Sequence, residues 1–351
     1  MNVERFAENP LITPEDVRPT REDFEVVCVF NPGVIRFGGE ILLLMRVAER
    51  PKATDQRVVR VPILDCGSGA PSVEIREFSR DDPTADFRDA RVVSVSGRVY
   101  LTSISHLRLA KSSDGHSFAV DEKPTIFPDR PAEAYGIEDP RITELDGVYY
   151  ITYKSVSSHG ITQSLATTRD FLSFNKHGII LPPENMDAMI FPARIGNRYA
   201  ALHRPFPALI GEPSIWVAYS EDGLHWGDHR FLAGESPGGW ESGRIGGGAV
   251  PFMTQRGWLE IYHGATPDNH YSLGAMLLDA DKPDRVIARS SQPIMEPGAA
   301  YEVSGFVPNV VFTCGAVADG DRLTIYYGAA DTVVAGAEVS IAGILADLAR
   351  A

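Results

Sequence analysis

"DGVYYITYKS", Asp146 to Ser155, opens on a turn dipeptide and continues as a run of β-branched and aromatic residues. Asp-Gly followed by such a run reads as a hairpin turn feeding a strand. Just upstream, "GIEDPR" (136–141) sets two adjacent carboxylates, Glu138 and Asp139, ahead of a proline. The same turn-then-strand text recurs as "GGEILLLMRVAE" from Gly38, "SGRVYLTSIS" from Ser96, "GNRYAALHRP" from Gly196, "RGWLEIYHGA" from Arg256 and "GDRLTIYYGA" from Gly320. The turn glycines Gly39, Gly97, Gly147, Gly196, Gly257 and Gly320 lie 49 to 63 residues apart. A second feature, "AKSSDGHSF" at Ala110, "ATTRDFLSF" at Ala166 and "AYSEDGLHW" at Ala218, keeps a similar period, with Asp114, Asp170 and Asp222 separated by 56 and 52 residues. "LLDADKPDRV" at Leu277 is a weaker copy.

Repeats of this length built from short strands indicate a β-propeller, in which each four-stranded blade buries its faces only by packing on its neighbours. The expected architecture is all-β, a five-bladed or six-bladed propeller in a single domain over 1–351, with blades over roughly 30–345 and 1–29 as an N-terminal extension. A β-sandwich is the structural alternative and leaves the repeat unexplained. In a propeller the entrances of the innermost strands converge on one central axial pocket, where Glu138 and Asp139 would point.

The 351 residues are 44% hydrophobic and 23% charged, ordinary for a globular chain, and the formal net charge is −14. That sign argues against nucleic acid or an anionic membrane as partners. Cys28, Cys66 and Cys314 fit no metal or redox spacing and read as reduced thiols. No His pair has ligand spacing, so no metal is expected. The first residues lack a signal-peptide pattern and no apolar run approaches a membrane span, which gives a cytoplasmic expectation. "PSVEIREFSRDDPTADFRD" (71–89) reads as a rim loop or a contact in a homo-oligomer.

Several repeats carry polar residues where a core strand should be apolar: Asn31, Arg46, Asp139, Arg141, Asp187, His203, Arg204, Glu241, Arg244, Tyr262, His263 and Asp331. Taken singly, such an Asp caps a turn, such an Arg makes a surface ion pair, and such a His is a satisfied bystander. Their recurrence at matching strand ends favours a shared pocket. Carboxylates, arginines and aromatic rings together suit a carbohydrate. The "SSDGHSF"-type segments read as structural turns, the Asp bonding neighbouring amides.

"GIEDPRIT", "FPARIGNRYAALHRP", "SIWVAYSEDGLHWG", "GWLEIYHGA", "YSLGAMLLDADKPDRVIARS" and "YYGAADT" resemble glycoside hydrolase family 130, over about Asn31 to Asp331. The resemblance implies a five-bladed propeller, so one of the six turn-strand copies shares a blade or belongs to an insertion near 60–105. It implies action on β-mannosides, by phosphorolysis in most members and by hydrolysis in some. It makes Asp139 the general acid, acting directly or through a sugar hydroxyl. It makes Asn31 and Asp331 sugar-binding and Arg204 phosphate-binding, and it puts Arg244 where phosphorylases commonly have lysine. Arg46, Glu138, Asp187, His203, Tyr262 and His263 join them as candidate substrate-binding residues.

One departure from the family pattern bears on the reaction. Phosphorylases usually place Arg or Lys between the equivalents of Asn185 and Asp187, and here that residue is Met186. A buried phosphate needs cationic donors, and methionine offers none. Hydrolysis needs instead a carboxylate base for water, usually ~6.5–9.5 Å from the acid in inverting enzymes. Glu241 or Asp187 could supply it. The preferred expectation is therefore an inverting β-mannosidase acting on β-1,2-linked manno-oligosaccharides without a cofactor, with Asp139 protonated at working pH. The alternative is a β-mannoside phosphorylase with inorganic phosphate as co-substrate, held by Arg204 and Arg244 and yielding mannose 1-phosphate. A non-catalytic sugar-binding propeller and a sialidase-type propeller are lesser readings.

Overall fold

The structure, a computed structural model, describes residues 2–350 apart from residues 68 and 208. It is nearly all β, with short helices at Ala300–Val303 and Ile341–Leu348. Among the described residues most strands fall into five antiparallel units of four, and no sheet closes on itself. The first unit is Phe24–Phe37, Glu40–Pro51, Ile104–Ser112 and Ala119–Val120. The second is Gly136–Leu145, Val148–Ser157, Gly160–Thr168 and Asn175–Leu181, and one parallel pairing, Gly136 with Ser105, joins it to the first. The third is Asn185–Ile190, Tyr199–Pro205, Ile215–Ser220 and Gly227–Ala233. The fourth is Arg244–Gly247, Gly257–Ala265, Tyr271–Leu278 and Val286–Arg289, with Phe252–Thr254 added beside Gly257–Ala265. The fifth is Val311–Asp319, Arg322–Ala329 and Val333–Ser340, completed by the N-terminal strand Val3–Arg5.

That last pairing corrects the N-terminal extension expected over 1–29. Residues 3–5 belong to the last unit, and the first unit's opening strand already begins at Phe24. The "SGRVYLTSIS" copy is the supernumerary one: its strand, Arg98–Leu101, lies in a small three-stranded sheet with Ala85–Asp86 and Val92–Val95. Together with the hairpin Val58–Asp65/Ser72–Ser79 it forms an excursion between the second and third strands of the first unit. The segment 71–89 is therefore not one rim loop, since it supplies the strands Ser72–Ser79 and Ala85–Asp86.

The hairpin at Asp146-Gly147 has positive φ at both central residues, 55° and 70°, the primed turn that matches strand twist. The recurring aspartates are structural: Asp114 accepts from the amides of His116 and Ser117, Asp170 from Leu172 and Ser173, and Asp222 from Leu224 and His225. Leu259, Ile261, Leu323 and Ile325 pack the fourth unit against the fifth, and Met189, Val217 and Met276 pack the third against the fourth. Burying both faces of each unit in this way is the main stabilising force. Cys28 and Cys314 are buried free thiols and Cys66 is half-buried. Among the described residues no helix is long and apolar enough to cross a membrane.

The opening strand of the first unit approaches those of the second and fifth closely. A Cβ on Gly33 of the first would lie 2.6 Å from the carbonyl oxygen of Pro140 in the second, and one on Gly315 of the fifth would lie 2.5 Å from Val34 N. Only glycine permits such approaches. Arg141, 1% exposed, rivets three units: its guanidinium donates to Asp187 Oδ1 at 3.1 Å, to the carbonyl of Gly247 at 2.9 Å and to that of Gly248 at 3.3 Å.

Candidate active site

Three of the opening strands carry a bulge at the same place, and each bulge begins with a short polar residue. Asn31-Pro32 interrupts the pairing between Phe30 and Gly33, Asp139-Pro140 that between Glu138 and Arg141, and Asp187-Ala188 that between Met186 and Met189. Asn31, Asp139 and Asp187 have φ of 48°, 47° and 57°, a region that Asn and Asp tolerate best among residues with a Cβ. A bulge bends its strand and re-aims its side chain. Here three bulges aim an amide and two carboxylates into one cavity of about 420 Å³. Asp331, φ 49°, enters from the turn after Arg322–Ala329.

The cavity gathers most of the residues singled out above. Asn31, Arg46, Glu138, Asp139, Asp187, Arg204, Arg244, His263 and Asp331 all line it. His203, Tyr262 and Glu241 do not. A neutral His203 with its proton on Nδ1 donates to Asn185 Oδ1 at 3.1 Å and accepts from His229 at 3.0 Å, and burial pushes its pKa down to about 3. The Tyr262 hydroxyl donates to Glu241 Oε2 at 2.7 Å. Glu241 also accepts from Ser236 and pairs with Arg289, and it does not line the cavity.

Sequence reasoning passed over Lys154, Glu184, Asn269, Tyr271, Phe312 and Arg91, which also line the cavity. Lys154 had a readable signal. Counting back from the two-residue turn at Asp146-Gly147 sets it across from the acidic pair, and the observed register pairs it with Glu138. Arg91 comes from the excursion, where no repeat marks it.

Two electrostatic neighbourhoods share the cavity. In the first, Asp139 accepts from Asn31 Nδ2 at 2.9 Å and Arg46 at 3.3 Å, and Lys154 Nζ lies 2.5 Å from its other oxygen. Glu138 takes Arg46 at 2.7 Å and Lys154 at 3.3 Å. Burial alone would raise the Asp139 pKa, but Lys154, Arg46 and Arg141 outweigh it and hold the carboxyl well below the usual range. This corrects the expectation of a protonated Asp139: in the free protein it is a carboxylate. Asp331 goes the other way. Burial, partly offset by Arg46 and reinforced by Asp139, pushes it up to about 6.

The second neighbourhood is cationic and under-satisfied. Asp187 takes Arg204 Nε at 2.7 Å and Arg141 at 3.1 Å, which hold its own pKa low against burial. That leaves Arg204 with a buried Nη1 that has no partner among the described residues, while its Nη2 lies 2.7 Å from Met186 Sδ. Among the described residues Arg244 bonds only the neutral Asn269, and it sits 5.3 Å over the Tyr271 ring. Neither nitrogen of buried His263 has a hydrogen-bond partner among the described residues, Nε2 lying 3.7 Å from Asp187 Oδ2, and burial pushes its pKa down to about 3, so the ring is neutral. Such a set of unused donors suits an anion.

A nearly all-β fold that aims carboxylates, arginines and aromatic rings from several units into one cavity defines a carbohydrate-active enzyme. The chain belongs to glycoside hydrolase family 130, whose model, described as beta-1,4-mannooligosaccharide phosphorylase, matches residues 83–350. It is 46% identical over 99% of both chains to a "Beta-1,2-mannobiose phosphorylase" of Listeria innocua serovar 6a. It is 41% identical to a "1,2-beta-oligomannan phosphorylase" of Thermoanaerobacter sp. (strain X514), covering 66% of this chain and 77% of that one. The solved structure described as "Beta-1,2-Mannobiose phosphorylase from Listeria innocua - beta-1,2-mannobiose complex" superposes with a TM-score of 0.97 over the whole of both chains.

Proposed function

We propose that this enzyme is a phosphorylase that cleaves β-1,2-linked mannosides with inorganic phosphate, releasing mannose 1-phosphate, in preference to the hydrolase that Met186 led us to expect. The observation that carries the reading is Arg204 Nη1, without a hydrogen-bond partner among the described residues, in the same cavity as Arg244 and His263. Met186 supplies no cation, yet its thioether sits on a guanidinium edge that still offers one free nitrogen. The carboxylates a hydrolase would use as base are both engaged: Glu241 by the Tyr262 hydroxyl, Asp187 between two arginines. The phosphorylase names of the two relatives support the same choice.

In this reading the five four-stranded units are blades of a propeller about the cavity, and their number and the close approach of three of their opening strands support that arrangement. Asn31, Arg46, Asp139 and Asp331 hold the terminal mannosyl unit. Phosphate, held by Arg204, Arg244 and His263, attacks the anomeric carbon from the face opposite the departing oxygen. The C–O bond breaks as the new one forms, the configuration inverts, and the leaving oxygen takes up a proton. An anionic nucleophile needs no base. The proton reaches the leaving oxygen from Asp139 through a sugar hydroxyl. The ionised state of Asp139 in the free protein suits it to accept that proton when the reaction runs toward synthesis, and cleavage draws on its protonated form.

The test is to incubate the protein with β-1,2-mannobiose with and without phosphate and to identify the products. Mannose 1-phosphate formed only with phosphate is expected. Free mannose released at the same rate without phosphate overturns the proposal.

A further inference from the structure

Glu138 and Asp139 are neighbours in sequence, and regular strand alternation would send their side chains to opposite faces. The bulge turns Asp139, at φ 47°, so that both line the cavity. Two cations serve the pair. Arg46 reaches Asp139 Oδ1 at 3.3 Å and Glu138 Oε1 at 2.7 Å. Lys154 Nζ lies 2.5 Å from Asp139 Oδ2 and 3.3 Å from Glu138 Oε2. Asn31 Nδ2 donates to Asp139 Oδ1 at 2.9 Å.

This arrangement suits an ionised Asp139. An amide N–H, a guanidinium and an ammonium only donate, whereas a protonated carboxyl needs an acceptor for its O–H. Oδ1 meets the donors of Asn31 and Arg46, and Oδ2 meets Lys154. Cleavage draws on the protonated form, so one cation has to give way. The charged and titratable groups around the carboxyl are Arg46, Arg141, Lys154, Glu138, Asp331 and the buried thiol of Cys314. Arg141 is fixed by Asp187 and by the carbonyls of Asp139, Gly247 and Gly248. Arg46 is held by Glu138 and by Ser105 Oγ at 3.1 Å as well as by Asp139. Lys154 sits on a flexible four-carbon stem, blocks Oδ2 and has Glu138 Oε2 within reach.

We propose that Lys154 moves from Asp139 Oδ2 to Glu138 Oε2 as the mannoside enters, and that Glu138 is a positioning residue that holds the ammonium there. The freed Oδ2 takes a proton from solvent and donates it to the sugar hydroxyl that relays it to the leaving oxygen. When the reaction runs toward synthesis, the relayed proton returns to Oδ2. The ammonium keeps its own protons throughout. A cavity filled by sugar instead of water favours the uncharged carboxyl. Glu138 then has one oxygen for each cation, Oε1 for Arg46 and Oε2 for Lys154. This rests on the mannoside reading above, and it gives the two adjacent carboxylates different tasks: one carries the proton, and the other takes the cation away from it.

Calorimetric titration with β-1,2-mannobiose, without phosphate and in buffers of unlike ionisation enthalpy, counts the protons exchanged on binding and requires no turnover. A failure of the phosphorylase reading is seen separately, in the product assay. At about pH 7 Asp331, whose pKa is pushed up to about 6, has largely lost its proton already. Wild type should take up protons, approaching about one per sugar bound, because Asp139 gains affinity for a proton in the complex. Glu138→Gln should bind the sugar with that uptake lost, since Lys154 then stays on Asp139, and its kcat with phosphate should fall by about tenfold or more. Adding Lys154→Met to Glu138→Gln should restore most of that loss, which a merely structural role for Glu138 would not do. Thermal melting checks folding, and the wild-type count stands without any variant. Sugar bound by wild type with no uptake, equal uptake in Glu138→Gln, or a double variant no faster than the single one overturns the inference.

Discussion

Asp139 and Glu241 look alike by the usual criteria for a working carboxylate. Both are almost fully buried, at 2% and 3% exposure, and each has an arginine within hydrogen-bonding range. They differ in where their partners come from and what they face. Glu241 is satisfied from the fourth unit and its approach: Ser236 at 2.6 Å, the Tyr262 hydroxyl at 2.7 Å and Arg289 at 2.7 Å, with Trp240 packed over Gly264 and Gly274 beside it. Asp139 draws Asn31 and Arg46 from the first unit and Lys154 from its own, and it borders open volume. Burial and pairing therefore do not separate the two. Convergence of partners from separate units on a cavity does, and on the function proposed above it marks Asp139 as the carboxylate that takes part in the chemistry.

The largest effect should follow from Asp139→Asn. Loss of the proton-transferring group should lower kcat on β-1,2-mannobiose by roughly 10²–10⁴-fold. Sugar affinity measured by titration should change little, because the amide still offers an acceptor to Asn31 and Arg46. A variant that keeps wild-type turnover would remove Asp139 from the chemistry and erase the contrast with Glu241.

Asp331 sharpens the contrast from within the cavity. Burial pushes its pKa up to about 6, where nearby cations hold those of Asp139 and Asp187 low, and an ionised carboxylate is the form that accepts two sugar hydroxyls. Below that value the group is protonated and binds poorly. KM for the mannoside should therefore fall as pH rises, by up to about tenfold between about pH 5 and pH 7. Asp331→Asn should show a raised KM that is flat across the same interval. A wild-type KM independent of pH there would detach Asp331 from sugar binding.

The sequence made the repeat legible because a strand's start is written locally, in Gly-containing turns and the runs behind them. It made the cavity residues legible only where a polar residue breaks a strand that should be apolar, as at Asn31, Asp139 and Asp187. It could not show the bulges, since two residues facing one across a ladder is a property of the partner strand. That is why the ladder register sets Glu138 opposite Lys154 and leaves Asp139 in the bulge; Glu241, three residues before Arg244, was placed at the cavity from sequence proximity alone and is not among its lining residues. The excursion escaped for a related reason. It sits inside the first unit, borrows one copy of the repeat motif at Ser96, and delivers Arg91 to the cavity with no periodic signal to announce it. On the phosphorylase reading, Met186 was given more weight than Arg204, which the sequence also offered and which the ladder pairs directly with it from the neighbouring strand.

Glu241→Gln carries the smallest expected effect on chemistry and is the sharpest check on the comparison. The substitution keeps the shape but leaves Arg289 with no charged partner, its remaining contacts being the Tyr262 hydroxyl at 3.1 Å and the carbonyl of Gly234 at 2.7 Å. Removing one member of a buried ion pair costs about 3 kcal/mol or more, because the other charge stays buried. The variant should therefore lose stability by that order in urea unfolding. Its kcat and KM per folded molecule should match wild type within a factor of about two, because nothing the substrate touches has moved. If turnover instead fell as far as in Asp139→Asn while stability held, Glu241 would be the base of a hydrolytic site, and a carboxylate that does not line the cavity would have to reach it in some arrangement other than this one.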